Sequence, residues 1–156
     1  MKVVVISGYF NPLHTGHLDY IDGAAKLGDR LIVIVNNDEQ VKLKGSTPFM
    51  DQVSRMRIVN AIKGVGRAVL SIDTDESVVQ TLKSIYSEYS TDYFFDSMTF
   101  ANGGDRTEGS SPEEAYCKWR KIHTVYNTGG EKTQSSSELL KFKNKEHSNG
   151  NTSRHG

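Results

Sequence analysis

Cysteine is nearly absent: Cys117 stands alone among 156 residues, which excludes an internal disulfide framework and fits a reducing compartment. An excess of either charge is absent too. Lysine and arginine balance aspartate and glutamate at 19 each, so no overall field draws the protein to DNA, RNA or a membrane surface. A basic cluster in such a chain is a local site and not a coat. No apolar run approaches the ~20 residues of a membrane span. Met1-Lys2 leads straight into a strand-like run with no signal-peptide pattern before it. The sequence also shows no internal repeat, Ser-His-Asp set, zinc spacing or Walker loop. A soluble cytoplasmic protein is expected, and 156 residues suit one domain with a substantial core.

What is present is an alternation of apolar runs and amphipathic stretches. Val3–Ile6 and Leu31–Val35 read as buried strands, the second continuous and mostly β-branched, as a strand covered on both faces should be. Between them, Leu18, Ile21, Ala24, Ala25 and Leu27 give a helix with one apolar face, ended by Gly28. Asn36-Asn37-Asp38 closes the second strand, and Glu39 to Pro48 reads as a polar loop. A helix follows from about Asp51 to Lys63, with Val53, Met56, Val59, Ala61 and Ile62 as its apolar positions. Ala68–Leu70 is a third strand, and Ser77 to about Tyr89 is helical, with Val78, Val79, Leu82 and Ile85 facing inward.

Two candidates compete for the fourth strand, Tyr93-Phe94-Phe95 and Met98–Ala101; the second is favoured because it runs directly into Gly103-Gly104-Asp105. A short helix near Pro112–Lys118, in which Cys117 and Trp119 read as packing residues, precedes a fifth strand at Ile122–Val125. Ser135–Phe142 reads as a last helix, and from Asn144 onward no apolar residue remains to bury. The expected organisation is one domain over residues 1–143 and a polar, disordered tail over 144–156. The alternation predicts an α/β fold, a Rossmann-like doubly wound parallel sheet of five strands with right-handed crossovers. Ligands bind such sheets beyond the carboxyl ends of the strands, where the winding reverses.

Chemistry-bearing residues gather at those ends. Gly8-Tyr9-Phe10-Asn11-Pro12-Leu13-His14-Thr15-Gly16-His17 joins the first strand to the first helix. Free N–H groups and the positive end of a helix dipole make that junction an anion site, and two imidazoles three residues apart can donate to phosphate oxygens. The combination points to nucleotide chemistry. Lys42 and Lys44 follow the second strand, Gly103–Arg106 the fourth, and Ser135–Ser137 the fifth.

The Gly-x-Phe-Asn-Pro lead-in with His-x-Gly-His resembles the signature of the cytidylyltransferase-like nucleotidyltransferase superfamily, which includes heptose-phosphate adenylyltransferases and glycerol-3-phosphate cytidylyltransferases. Many members carry Asp where this chain has Asn11. Lys42-Leu43-Lys44-Gly45 followed by Arg55 resembles the heptose enzymes' segment after the second strand, and Asn102–Arg106 resembles their Gly-Gly-Asp element. Gly129–Ser137 resembles the second family signature, with Lys132 the candidate substitute for an arginine that is out of its usual register. Together the matches run from about residue 3 to 142.

The resemblance implies the nucleotidyltransferase fold of this superfamily. It implies transfer of AMP or CMP from ATP or CTP to a phosphorylated small molecule, a sugar phosphate or polyol phosphate, with release of pyrophosphate. His14, His17 and Lys44 are the expected catalytic residues. Gly8, Tyr9, Phe10, Asn11, Gly16, Gly103, Gly104, Asp105, Arg106, Lys132, Ser135, Ser136 and Ser137 are expected at the nucleotide, and Lys42 and Arg55 at the acceptor. Mg²⁺ is expected as the triphosphate counterion, held by phosphates and water and not by a protein metal site. Neither nucleic acid nor membrane is an expected partner, and the family often forms homodimers. Two other classes stay open on sequence: a nucleotide-binding sensor of the same fold, and a class I aminoacyl-tRNA synthetase fragment. The second lacks room for an anticodon-binding domain.

Overall fold

A computed structural model describes residues 1–104, 109 and 111–130 of the chain. Its elements are β1 (Lys2–Gly8), α1 (Thr15–Ala25), β2 (Arg30–Val35), α2 (Asp38–Leu43), α3 (Gln52–Asn60), β3 (Arg67–Leu70), α4 (Val79–Ser90), β4 (Ser97–Ala101), α5 (Glu113–Arg120) and β5 (His123–Val125). The strands form one sheet in the order β3-β2-β1-β4-β5, with every adjacent pair parallel. This is the expected Rossmann-like α/β fold. The winding reverses between β1 and β4, so a crevice opens above Gly8 and Ala101.

Side chains alternate across the sheet, and each face has its own core. Val3, Val5, Ile32, Ile34, Met98 and Phe100 pack with Leu82, Ile85 and Cys117 on the side of α4 and α5. Val4, Ile6, Leu31, Val33 and Val35 pack with Ile21, Ala24 and Val59 on the side of α1 and α3. Each fully buried aliphatic side chain contributes about 1.5–3 kcal/mol of transfer free energy, so these two layers dominate the stability. Burial pushes the Cys117 thiol up to about 12, which leaves it an inert packing group.

Several sequence expectations need correction. The polar loop after β2 contains a helix, α2. The Asn37 side chain accepts the Gln40 N–H at 2.9 Å, and the Gln40 side chain accepts the Asn37 N–H at 3.0 Å. This capping box sustains a short polar helix with Asp38 and Glu39 in its first turn. Trp119 is 69% exposed instead of packed, with the Arg120 guanidinium 4.3 Å from its ring centre. Val53 faces outward on α3, which lacks a full apolar stripe. The favoured fourth-strand candidate, Met98–Ala101, needs no correction and is β4. The last helix and the tail lie outside the described residues. No described helix is long and apolar enough to cross a membrane.

The chain after β5 returns to α1 by direct backbone contact. A methyl on Gly23 would stand 2.7 Å from the Gly129 amide nitrogen, and one on Gly129 would stand 2.7 Å from the Asp19 carbonyl oxygen. Gly129 also has φ +82°, a conformation that other residues adopt at a cost. Beside it, Thr128 is buried and its hydroxyl has no hydrogen-bond partner among the described residues. Neighbouring substitutions should therefore act in opposite directions. Gly129→Ala should lower stability by more than ~2 kcal/mol through backbone collision and strain. Thr128→Val should raise it by about 1 kcal/mol by removing an unsatisfied buried hydroxyl. In thermal denaturation the second change corresponds to a rise of roughly 2–4 °C; an unchanged or lower midpoint would show the hydroxyl to be satisfied.

Candidate functional site

The crevice is built from the exit of β1. Gly8 ends the strand, its carbonyl accepting the Asn36 N–H at 2.9 Å. Phe10 then takes a left-handed turn at φ 50° and drops its ring into the core, where it is 2% exposed. A Cβ on Gly8 would stand 2.8 Å from the tip of that ring, so glycine here makes room for Phe10. With its ring buried, Phe10 can offer a ligand only its backbone.

Asn11 uses its amide in both directions. Its Nδ2 donates to the Thr47 carbonyl at 2.9 Å, and its Oδ1 accepts the Phe49 N–H at 2.5 Å. The side chain thus staples the loop between α2 and α3 to the β1 exit. A carboxylate could make the second bond but not the first, which gives a physical reason for Asn in place of Asp.

The two histidines cap α1 reciprocally. His14 is the N-cap residue, and its Nδ1 accepts the Gly16 N–H at 3.1 Å. His17 Nδ1 accepts the His14 N–H at 3.1 Å. The rings stack with centres 3.9 Å apart, and Phe10 supports the His17 ring at 4.9 Å. Imidazole here takes the place of the Ser/Thr and Glu/Gln of an ordinary capping box. Because each Nδ1 is an acceptor, the proton of each neutral ring sits on Nε2, the edge turned away from the helix backbone. The sequence shows the pair; the cap that sets the tautomer appears only in the structure.

The lysines part company. Lys44 caps the C-terminus of α2 and brings its ammonium back to within 4.3 Å of the Tyr9 ring centre. Lys42 instead pairs with Glu39 at 3.1 Å on the exposed face of α2.

Arg55 is not placed to meet an acceptor. It is 1% exposed, and its guanidinium donates to the carbonyls of Tyr9 (2.7 Å), Asn36 (2.7 Å) and Met50 (3.2 Å) and to Asp38 Oδ1 (2.7 Å). Its partners are loop carbonyls and a carboxylate of the protein itself, so its position is that of a clasp. Arg57, two residues on, is exposed.

Two amides of the segment after β2, Asn37 and Gln40, extend this clasp. Asn37 Nδ2 donates to the carbonyls of Ser71 and Asp73, both at 3.0 Å. Gln40 Nε2 donates to those of Asp75 (2.7 Å) and Ser77 (2.8 Å). They tie the exits of β2 and β3 to the entry of α4. The detectable signal was Asn37 followed three residues later by Gln40.

Gly103 and Gly104 follow β4 at the other wall. Asn102 holds them beside β5, its N–H donating to the Val125 carbonyl at 2.7 Å and its carbonyl accepting the Thr128 N–H at 2.9 Å. Glu114 accepts the Gly109 N–H at 2.7 Å and the Tyr126 hydroxyl, and these two donors hold its carboxyl below the usual range. Asp105, Arg106, Lys132, Ser135, Ser136 and Ser137 lie outside the described residues. Gly8, Tyr9, Gly16, His14 and His17 thus lie at the β1 exit with Lys44 brought to Tyr9, and Gly103 and Gly104 follow the neighbouring strand β4 across the switch point.

The model of the family described as cytidylyltransferase-like matches residues 5–153. The chain belongs to the cytidylyltransferase-like family. It is 39% identical over 112 residues to the bifunctional protein HldE of Actinobacillus succinogenes, covering 67% of this chain and 24% of that protein. It is 36% identical over 87 residues to the FAD synthase of Thermoplasma acidophilum, covering 54% of this chain and 61% of the relative. It therefore spans about a quarter of the one and three fifths of the other. Among solved structures, the lipopolysaccharide core biosynthesis protein of Thermoplasma volcanium superposes with a TM-score of 0.62 at 27% identity, covering 81% of this chain and 95% of that one.

Removing the clasp should be costly. Arg55→Met leaves three carbonyls and the Asp38 carboxylate without their donor, and loss of one partner of a buried ion pair typically costs about 3–5 kcal/mol. Arg55→Lys, with one ammonium for four acceptors, should recover less than half of that loss. Urea denaturation measures both; a loss below about 1 kcal/mol for Arg55→Met would mean that the guanidinium is replaceable by water.

Proposed function

We propose that this protein transfers a nucleotidyl group, AMP or CMP, from ATP or CTP to the phosphate of a sugar phosphate or polyol phosphate, releasing pyrophosphate. The observation that carries this is the pair of stacked histidines at the start of α1, at the sheet's switch point, with their Nδ1 atoms committed to the backbone, together with Lys44 held over the ring of Tyr9, which lies in the same β1–α1 segment. Family membership supports the reaction class. The Lys-Leu-Lys-Gly segment and the Gly-Gly-Asp element support the acceptor class.

An oxygen of the acceptor phosphate attacks the α-phosphorus in line. One P–O bond forms, the bond to the β-phosphate bridging oxygen breaks, and pyrophosphate leaves with the electron pair. The nucleophile is already anionic, so neither a general base nor a covalent intermediate is needed. Catalysis then rests on alignment and on offsetting negative charge. His14 and His17 would donate from Nε2 to α-phosphoryl oxygens, with their rings held still by the cap. Lys44 and Lys132 would offset charge on the triphosphate, and Ser135–Ser137 would hold the leaving group. Asn11 and Arg55 would act by holding the loops around the site in place. The described residues contain no group of three or more His, Cys, Asp or Glu side chains arranged to hold a metal ion. Mg²⁺ would enter with the triphosphate as its counterion.

Pyrophosphate release should be seen when the protein is given the right one of ATP, CTP, GTP and UTP with a panel of phosphorylated acceptors. A thermal shift selective for one nucleotide identifies the donor. Nucleotide binding without pyrophosphate release across a broad panel would assign a binding protein of this fold instead. His17→Ala should lower turnover at least ~100-fold, the scale of one preorganised donor. It should also weaken the helix cap by about 1 kcal/mol. His17→Gln separates the two effects, because glutamine at this position keeps the cap and loses the imidazole donor. Near-normal turnover of His17→Ala removes His17 from the chemistry, and near-normal turnover of His17→Gln alone shows that an amide N–H can replace the imidazole.

A further inference from the structure

Lys44 differs from an ordinary surface lysine in what holds it. Its base is fixed at the end of α2, with its N–H on the Gln40 carbonyl at 3.1 Å and Gln40 itself fully buried. Its ammonium lies over the face of Tyr9, 4.3 Å from the ring centre, inside the ~6 Å range of a cation–π contact. Tyr9 is anchored in turn: its carbonyl is held by Arg55 Nη1 at 2.7 Å, and the next residue is locked by its buried ring. Two fixed elements therefore meet through this one contact.

The kind of contact matters. Lys42 gives its charge to Glu39, a partner that an incoming anion would have to displace. Among the described residues Lys44 has no ion pair, and an aromatic face orients a cation without neutralising it. The long stem is ordered while the charge stays available to an anion.

Resting on the function proposed above, we infer that Tyr9 is a positioning residue for Lys44. The face of its ring sets the ammonium at the exit of β1 before a polyphosphate arrives. The contribution of Tyr9 to anion binding then passes through Lys44, and the ring, not the hydroxyl, supplies it.

Calorimetric titration of the full chain with inorganic tripolyphosphate at low ionic strength tests this without the unidentified acceptor. Tyr9→Leu should weaken binding about three- to five-fold, the size of an exposed cation–π contact. Tyr9→Phe should restore the affinity. In a Lys44→Met background, Tyr9→Leu should have no further effect. An equal effect in both backgrounds overturns the inference, since Tyr9 would then act on the anion without Lys44. Nuclear magnetic resonance of the unliganded protein gives a second readout that does not require Tyr9→Leu to fold. The Lys44 ε-methylene protons should be shifted upfield by the ring current in the wild type and in Tyr9→Phe; ordinary shifts in both overturn the inference. Failure of the wild type to bind tripolyphosphate would be a different result, because it removes the polyphosphate site itself and with it the proposed function.

Discussion

The Arg55 guanidinium is the interaction on which the site edge of this fold depends. A parallel sheet leaves its carboxyl ends as loose loop starts, and this one must keep two of them, after β1 and β2, in fixed relation. Arg55 does so by donating to a carbonyl from each, to the Met50 carbonyl and to Asp38. A buried cation is tolerable only when its donors are met, and here four acceptors within 3.2 Å meet them. The planar fork matters because the acceptors lie in different directions. Asn37 and Gln40 then carry the same logic to β3 and α4.

On that frame the helix start does two jobs with the same residues. His14 and His17 satisfy backbone donors that every helix leaves open at its N-terminus. The same bonds restrict ring rotation and assign the tautomer. A side chain that must present one N–H in one direction gains this from being built into the helix. Asn11 shows a similar economy, one amide joining a strand exit to a loop more than thirty positions later in the chain.

Much of this was legible in the sequence. Uninterrupted apolar runs announced the strands, because a strand buried on both faces leaves no choice of residue. The position of His14 and His17 after the first run, and of Lys44 after the second, followed from strand order alone. What was not legible depends on direction. An arginine on a helix reads as outward by default, and nothing local to Arg55 says that four acceptors await it inside. The helix α2 escaped notice because it is short and polar, stabilised by a cap and not by a buried stripe. Trp119 went the other way: an amphipathic pattern suggested burial, but the indole lies on the surface beneath Arg120.

The contact between Gly23 and Gly129 has a mechanical meaning. Most helices rest on their neighbours through side chains, which can change rotamer and take up small shifts. Here two backbones touch with nothing between them. Such a joint has no side chain to cushion it, so a shift of α1 relative to the segment at Thr128–Gly130 would have to move backbone against backbone. The helix that carries His17, with His14 as its cap, is thereby joined through Thr128 to Asn102 at the far wall of the crevice.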